Sequence, residues 1–230
     1  MATKIKENYL KAIYFLDQKD SNISLTALAK KMKVSKPTVN NMVKKLKSNG
    51  WLEYEKYKPL RLTEAGRKTA ALIIRKHRLT EIFLVQVMGF GWEKVHDIAE
   101  EIEHIDSTEF FDRMDEILGF PTTDPHGSPI PDKEGNTNKL NYLLLSNIPI
   151  NSTVVLRGLR DSSKELLLFL NKKQLQLGIE MVVHHFEPFD KSVSVSYADF
   201  SEVQLSHSVA SSLLVEVVGE EQRSESREKR

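Results

Sequence analysis

The chain has 230 residues, with 33 Lys and Arg against 32 Asp and Glu, 40% hydrophobic and 28% charged positions, and no cysteine. Such a composition supports ordinary buried cores, and it excludes a disulfide framework, a thiolate metal site and a cysteine nucleophile. The formal net charge of +1 conceals a polarity: residues 1–63 hold 14 basic and 5 acidic side chains, residues 64–139 hold 9 and 15, and residues 140–230 hold 10 and 12. A basic head followed by an acidic middle points to different partners for the two segments. The length suggests two compact units. The start, MATKIKENYL, has no apolar export core, and no run approaches the ~18 apolar residues of a membrane span, so a cytoplasmic protein without a membrane partner is expected.

In chain order, Ile5, Tyr9, Ala12, Ile13 and Leu16 predict a first helix over about 5–16 with one apolar face. Asp20-Ser21-Asn22 is turn chemistry. Ser24 caps a short helix over Leu25 to Met32, and Lys33-Val34 makes a tight connection. Ser35 caps the next helix, with Pro37 in its first turn, where a missing N–H costs nothing. This helix carries Val39, Met42, Val43 and Leu46 and stops at Asn49-Gly50. The alternating runs 51–55 and 60–63, around Lys56-Tyr57-Lys58-Pro59, read as a small hairpin.

Helix, turn, helix and hairpin in a basic segment read as a winged helix-turn-helix domain over residues 1–63, against the plainer alternative of a three-helix bundle with an appended hairpin. The second helix of the pair would enter the major groove of double-stranded DNA, with Ser35, Lys36, Pro37, Thr38, Asn40 and Asn41 near base edges. Lys44, Lys45 and Lys47, with Lys56 and Lys58 on the wing, suit phosphates, although any one of them could equally be a solubilising charge.

Thr63 caps a long helix reaching about Met88, broken by Gly89-Phe90-Gly91. Trp92 to Ile105 predicts another helix, and Ser107 caps one more ending near Leu118-Gly119. A Pro-rich loop follows at 121–131, completing a helical domain over 64–131, and a linker is expected over 132–152, its polar part at 132–139. Beyond it, β-rich runs at 153–156, 180–186, 192–197, 202–205 and 213–218, with a helix at about 162–170, suggest a small SH3-like barrel over 153–218. Residues 219–230 are almost wholly polar and read as a disordered tail.

At ~100° per residue, His96, Glu100, Glu103 and His104 fall in about a quarter-turn of one helix, with Ile98, Ile102 and Ile105 opposite. The plain reading is an amphipathic helix with a solvated polar face. Against it, two imidazoles and two carboxylates crowd one face, which is unfavourable unless something positive sits among them. The preceding helix offers His77 and Glu81 at i, i+4. Imidazole and carboxylate without thiolate suit Mn²⁺ or Fe²⁺, and Zn²⁺ is also accommodated.

Taken together, Ser35-Lys-Pro-Thr-Val39, Leu62-Thr-Glu-Ala-Gly66, Arg75-Lys-His-Arg-Leu79 with Glu81, Val95-His-Asp97 before Glu103-His104, and Pro125-His-Gly-Ser-Pro-Ile-Pro131 resemble the diphtheria toxin repressor family of metal-dependent transcriptional regulators. The match runs over about residues 3–131. The segment after Thr153 resembles, more weakly, the family's SH3-like, FeoA-like domain. The resemblance implies a mainly α fold with β: a winged helix-turn-helix, a helical dimerisation domain and a C-terminal SH3-like β-barrel. It implies two metal sites per subunit: an ancillary one from His77, Glu81 and His96, completed by Asp161 and Glu165, and a primary one from Glu100, Glu103 and His104 with Asn8. Glu100 stands where iron-responsive members have cysteine, which resembles the manganese-responsive branch and favours Mn²⁺ over Fe²⁺. Asn8 departs from the aspartate common in that branch, and the charged Lys11 one turn later is no ligand.

The function implied is that of a metal-activated repressor of metal-homeostasis genes rather than an enzyme, binding a palindromic operator as a homodimer. Phe110, Phe111, Met114, Ile117 and Leu118 are the candidates for the dimer interface, or for ordinary core. Two rivals are weighed. A winged-helix regulator sensing an organic ligand would leave the His/Glu cluster as mere surface. A di-metal carboxylate oxidoreductase would use Glu101-Ile-Glu-His104, but Glu101 points away from the Glu100 arc.

Overall fold

The computed structural model describes residues 3–19, 22–56, 58–138 and 140–218. Asp20 and Ser21 of the first turn, Tyr57 of the wing loop, Lys139 of the linker and the polar tail at 219–230 lie outside the described residues. The chain divides into two compact units, one of Met1–Gly89, Val95–Thr122 and Pro129–Asn138, the other of Phe90–Lys94, Thr123–Ser128 and Lys139–Arg230.

The first unit begins with α1 (Lys4–Lys19), α2 (Leu25–Met32) and α3 (Lys36–Ser48). Ser24 and Ser35 cap α2 and α3 by accepting from the backbone N–H groups of Ala27 and Thr38, each satisfying one orphan donor of a first turn. Helix α1 runs longer than its apolar spacing suggested, and Ile5, expected on its buried face, is exposed. The buried stripe is instead Tyr9, Leu10, Ala12, Ile13 and Tyr14, packed with Leu28, Val39, Val43 and Leu46.

The wing is reduced to β1 (Leu52–Glu53) and β2 (Arg61–Leu62), two residues each. It is shorter than expected because Leu60 pairs with Ile23, before α2, rather than with the facing strand. Helix α4 (Glu64–Gln86) starts under a Thr63 cap, with the Thr63 hydroxyl accepting from Gly66 N–H. The first turn of α4 presses on the wing so closely that a Cβ on Gly66 would lie 1.9 Å from the Trp51 carbonyl oxygen, which explains why glycine ends Leu62-Thr-Glu-Ala-Gly66.

Helices α5 (Val95–Ile102) and α6 (Thr108–Ile117) complete this unit, with Ser107 capping α6. A second small core joins Leu79 and Ile82 of α4 to Phe111 and Met114 of α6 and to Ile130. Of the dimer-interface candidates, Phe111 and Met114 are therefore core, Leu118 packs against that core, and Phe110 and Ile117 remain exposed. Arg75 donates to Asp115 at 2.5 Å and to the Pro131 carbonyl at 2.8 Å, and Arg78 donates to the Pro129 carbonyl. Spaced i, i+3, the two arginines hold the Pro129–Pro131 strap along one face of α4. Among the described residues no helix is long and apolar enough to cross a membrane.

The second unit is a six-stranded antiparallel sheet in the order β3-β8-β4-β5-β6-β7, formed by β3 (Leu143–Leu144), β4 (Thr153–Leu159), β5 (Glu180–Phe186), β6 (Val193–Tyr197), β7 (Phe200–Leu205) and β8 (Leu213–Val217). Two helices accompany it, α7 (Lys164–Lys172) and α8 (His207–Ala210). Residues 140–152 are not linker. They supply β3 and a 3-10 turn, and Leu145 and Ile148 are fully buried in this unit's core. Nor does Trp92 start a helix. It packs on the core of the second unit and donates from Nε1 to Asn171 Oδ1 at 2.7 Å, so α5 begins only at Val95. Gly127, at φ +82°, lets the 125–128 turn lie against β4, where a Cβ would meet the Arg157 carbonyl oxygen at 2.2 Å.

Because the Trp51 carbonyl is backbone and cannot swing aside, Gly66→Ala is expected to destabilise the first unit by about 1–3 kcal/mol, the usual range for overpacking. Denaturant unfolding measures it, and an unchanged midpoint would contradict the close approach.

Candidate metal centre and DNA-contacting helix

Helix α3 exposes most of its predicted contact face. Lys36, Pro37, Thr38, Asn41, Lys44 and Lys45 are all exposed. Ser35 and Thr38 hydroxyls lie 2.8 Å apart, so part of their hydrogen-bonding capacity is used in the cap. Asn40 accepts from the Tyr54 hydroxyl at 2.9 Å, and Lys47 donates to the Tyr54 carbonyl at 2.9 Å. These two residues fasten α3 to the wing through Tyr54, a residue the sequence reading passed over. Lys58 on the wing pairs with Glu55 at 2.6 Å, and Lys56 is exposed.

The His/Glu constellation is not a solvated face. The last turn of α5 continues past Ile102 through a Glu103 N–H bond to the Ala99 carbonyl, so Glu103 stays on the helical spiral and is fully buried. Val95 and Ala99 share its buried side, while Ile105, placed on the opposite face, is exposed. Asp97 is exposed. Glu101 pairs with Lys4 at 2.6 Å on the surface.

His77, Glu81 and His96 converge. His77 Nε2 lies 3.0 Å from Glu81 Oε1 and 3.2 Å from His96 Nδ1, and His96 Nδ1 lies 3.3 Å from Glu81 Oε1. Adjacent ligands of an octahedral ion at bond lengths of about 2.1 Å are about 3.0 Å apart, so this triangle fits one face of a first-row divalent cation. Glu81 and His77 are buried and His96 is largely exposed, leaving one side of the triangle open. His77 Nδ1 lies 2.6 Å from Glu103 Oε2, the carboxylate–imidazole pairing that orients a metal-binding histidine. Burial opposes charge on His77, but the hydrogen bonds to Glu103 and then Glu81 outweigh it and raise its pKa to about 9.

The second group joins α1 to α5. Asn8 Oδ1 and His104 Nε2 are both buried and lack a hydrogen-bond partner among the described residues. An orphaned acceptor on α1 and an orphaned imidazole nitrogen beyond α5 are what a bound cation would satisfy. His104 Nε2 lies 3.5 Å from Glu103 Oε1. His104 Nδ1 lies 2.5 Å from Glu7 Oε2, so Glu7 fixes the ring that presents Nε2. Lys11 donates to Glu100 and, at 2.8 Å each, to both oxygens of Glu103. Burial works against the Glu100 charge, yet the Lys11 hydrogen bond and charge hold its carboxyl below the usual range.

Glu7 was missed in the sequence, and Lys11 was considered only as a non-ligand. Their i, i+4 spacing, flanking Asn8, was the available signal. Asp161 and Glu165 lie in the second unit, both exposed, at the start of α7. Asp161 accepts from Ser163 N–H at 3.2 Å and from its hydroxyl at 3.1 Å.

A winged helix-turn-helix in one unit with clustered His and Glu side chains able to hold a metal ion defines the class of metal-regulated DNA-binding proteins. Residues 1–60 match the model of the iron dependent repressor N-terminal DNA binding domain, and residues 63–132 that of the iron dependent repressor metal binding and dimerisation domain. The iron-dependent repressor IdeR of Mycobacterium tuberculosis (strain ATCC 25618 / H37Rv) is 36% identical over 155 residues, covering 64% of this chain and 67% of that one. The diphtheria toxin repressor of Corynebacterium diphtheriae is 34% identical over 125 residues, 54% of this chain and 55% of that one. Among solved structures, a manganese-dependent transcriptional repressor in complex with manganese superposes with a TM-score of 0.82 at 30% identity, covering 93% of this chain and 100% of the other. ScaR with bound Cd²⁺ gives 0.77 at 33%, covering 93% and 99%. The chain belongs to the iron-dependent, or diphtheria toxin repressor, family of metal-dependent transcriptional repressors.

Since Glu7 holds the His104 ring, Glu7→Gln is expected to weaken divalent-metal binding about tenfold, the lower end for loss of the partner that orients a metal-binding histidine. Titration with Mn²⁺ measures it, and wild-type affinity would remove Glu7 from the site.

Proposed function

We propose that this chain is a cytoplasmic repressor of metal-uptake and metal-homeostasis genes, activated by Mn²⁺, with Fe²⁺ the second choice and Zn²⁺ able to use the same ligands. The observation that carries the reading is the pair of buried atoms Asn8 Oδ1, on α1, and His104 Nε2, beyond α5, that find no hydrogen-bond partner among the described residues, the second of them 3.5 Å from the buried Glu103 carboxylate. Glu100 supports manganese, because a carboxylate is a harder donor than a thiolate and Mn²⁺ prefers oxygen. The Mn²⁺-complexed repressor among its structural relatives agrees with that choice, while the IdeR relatives, named as iron-dependent, keep Fe²⁺ in view.

In this reading Asn8, Glu100, Glu103 and His104 form the primary site, and His77, Glu81 and His96 the ancillary one. Asn8, Glu100, Glu103 and His104 would hold the cation, which would supply positive charge against the two carboxylates. Asn8 would commit α1 to that group, Glu7 aims His104, and His77 ties Glu103 to the ancillary group through its second nitrogen. The effect is to fix α1, and the winged unit packed on it, against the dimerisation helices. In a two-fold dimer this sets the separation of the two α3 helices, and a palindromic operator with half-sites ~34–36 Å apart is bound only at the matching separation. Phe110 and Ile117, exposed on α6, are the candidates for the dimer contact. An enzyme is disfavoured because the Glu101 side chain pairs with Lys4 on the surface rather than joining the cluster.

The test is DNA affinity at one fixed salt concentration, on duplexes selected from a randomised pool with Mn²⁺ present. Affinity is expected to rise at least about tenfold with Mn²⁺ or anaerobic Fe²⁺ over chelated protein, within the usual coupling range of about 1–3 kcal/mol. Equal affinity after chelation would overturn the reading. His104→Ala and Glu103→Gln are expected to lose the metal response while keeping a folded circular dichroism spectrum, and a wild-type response in both would remove the primary assignment.

A further inference from the structure

We propose that the Lys11 ammonium is a tethered counter-ion that competes with divalent metal for Glu100 and Glu103, and so sets the metal concentration at which the Asn8 group fills. The inference rests on the reading of that group as a metal site.

The ammonium has three N–H donors, and its contacts are Glu100 Oε1 and the two oxygens of Glu103, the latter both at 2.8 Å. Its side chain is only 12% exposed and Glu103 is not exposed at all. The carboxylate oxygens offered to a metal are therefore the ones Lys11 already occupies. Asn8 Oδ1 and His104 Nε2, which Lys11 does not satisfy, are the atoms left over. A divalent cation on the same oxygens would bring its charge against the ammonium in a poorly solvated pocket, so the two occupancies exclude each other. Lys11 has a long flexible stem, and Glu100, the more exposed of its two partners, marks the side on which it can withdraw to water.

Two consequences follow. In the metal-free protein α1 is already pinned to α5 by an ion pair, rather than held loosely. Metal then fills the site by exchanging one cation for another, and its apparent affinity is reduced by the fraction of molecules in which Lys11 has withdrawn.

Removing the ammonium should therefore lower metal-free stability and raise metal affinity at once, a pair of opposite changes that a merely structural residue would not produce. The experiment counts bound Mn²⁺ by electron paramagnetic resonance in the full chain and in Lys11→Met, Lys11→Gln and Lys11→Arg, with metal-free melting recorded for each. The expected result is a second ion per subunit bound at least about tenfold more tightly by Lys11→Met or Lys11→Gln, with a lower metal-free melting temperature, while Lys11→Arg keeps the weak affinity. If Lys11→Met does not fold without metal, Lys11→Gln, which keeps a hydrogen-bond donor, carries the comparison. A second ion of unchanged affinity in the neutral variants overturns the competition and leaves the two-site reading standing. Affinity and stability falling together overturn it in favour of a structural role. No second ion in any protein, wild type included, overturns both the inference and the reading beneath it.

Discussion

Glu103 is a carboxylate with no exposure to water, and a buried charge of that kind is tolerable only when each of its lone pairs is answered. Lys11 answers from α1, on both oxygens, and His77 answers from α4 on one of them. Taking away either partner leaves an uncompensated charge in the interior, so the three helices that meet at Glu103 are bound by an electrostatic requirement as well as by apolar packing. The same α1 buries Tyr9, Leu10 and Ile13 in the core shared with α2, α3 and the wing. One face of α1 thus belongs to the DNA-binding elements and the other to the ion cluster, which gives charge at Glu103 a packed route to the recognition helix.

His77 extends that arrangement. Its two ring nitrogens are divided, Nδ1 facing Glu103 and Nε2 facing Glu81 and His96. The ancillary triangle and the α1–α5 group are therefore neighbours through a single imidazole, and whatever fixes the orientation of His77 at one affects the basicity it presents at the other. The Arg75 and Arg78 clamp on the Pro129–Pro131 strap belongs to the same element, α4. Arg75-Lys-His-Arg78 is one turn whose arginines hold a strap and whose histidine sits between Glu103 on one side and Glu81 and His96 on the other.

What the sequence disclosed follows from the range of the interactions involved. Caps are local, and the residues read as caps at Ser24, Ser35, Thr63 and Ser107 all accept from backbone N–H groups three residues on. The strands beyond Thr153 were legible because β-branched alternation is local too. The errors come from long-range packing. Trp92 looks like a helix start but is claimed by the second unit's core, residues 140–152 look like linker but contribute Leu145 and Ile148 to it, and Leu60 leaves the wing to pair with Ile23. At the candidate site, helical periodicity put His96, Glu100, Glu103 and His104 together, yet the spacing could not say that Glu103 and His104 turn inward while His96 stays exposed. Nor could it find Glu7 and Lys11, whose partners lie 89 to 97 residues away.

The charge polarity of the chain takes on a different meaning once these partners are known. The basic head does not present all its charge to DNA. Lys11 is spent on Glu100 and Glu103, Lys4 on Glu101, Lys58 on Glu55, and Lys47 on the Tyr54 carbonyl. Two of these cations neutralise the acidic middle segment directly, so the head and the middle are electrostatically complementary within one unit as well as opposite in sign. Lys36, Lys44 and Lys45 stay exposed on α3. Phosphate binding depends on such available cations, with log affinity falling by about 0.9 per neutralised phosphate for each decade of salt. The net charge of the head therefore overstates the cations available to phosphate. A cation that took Lys11's place would release one more positive side chain from the interior, coupling occupancy of the cluster to the charge the head carries.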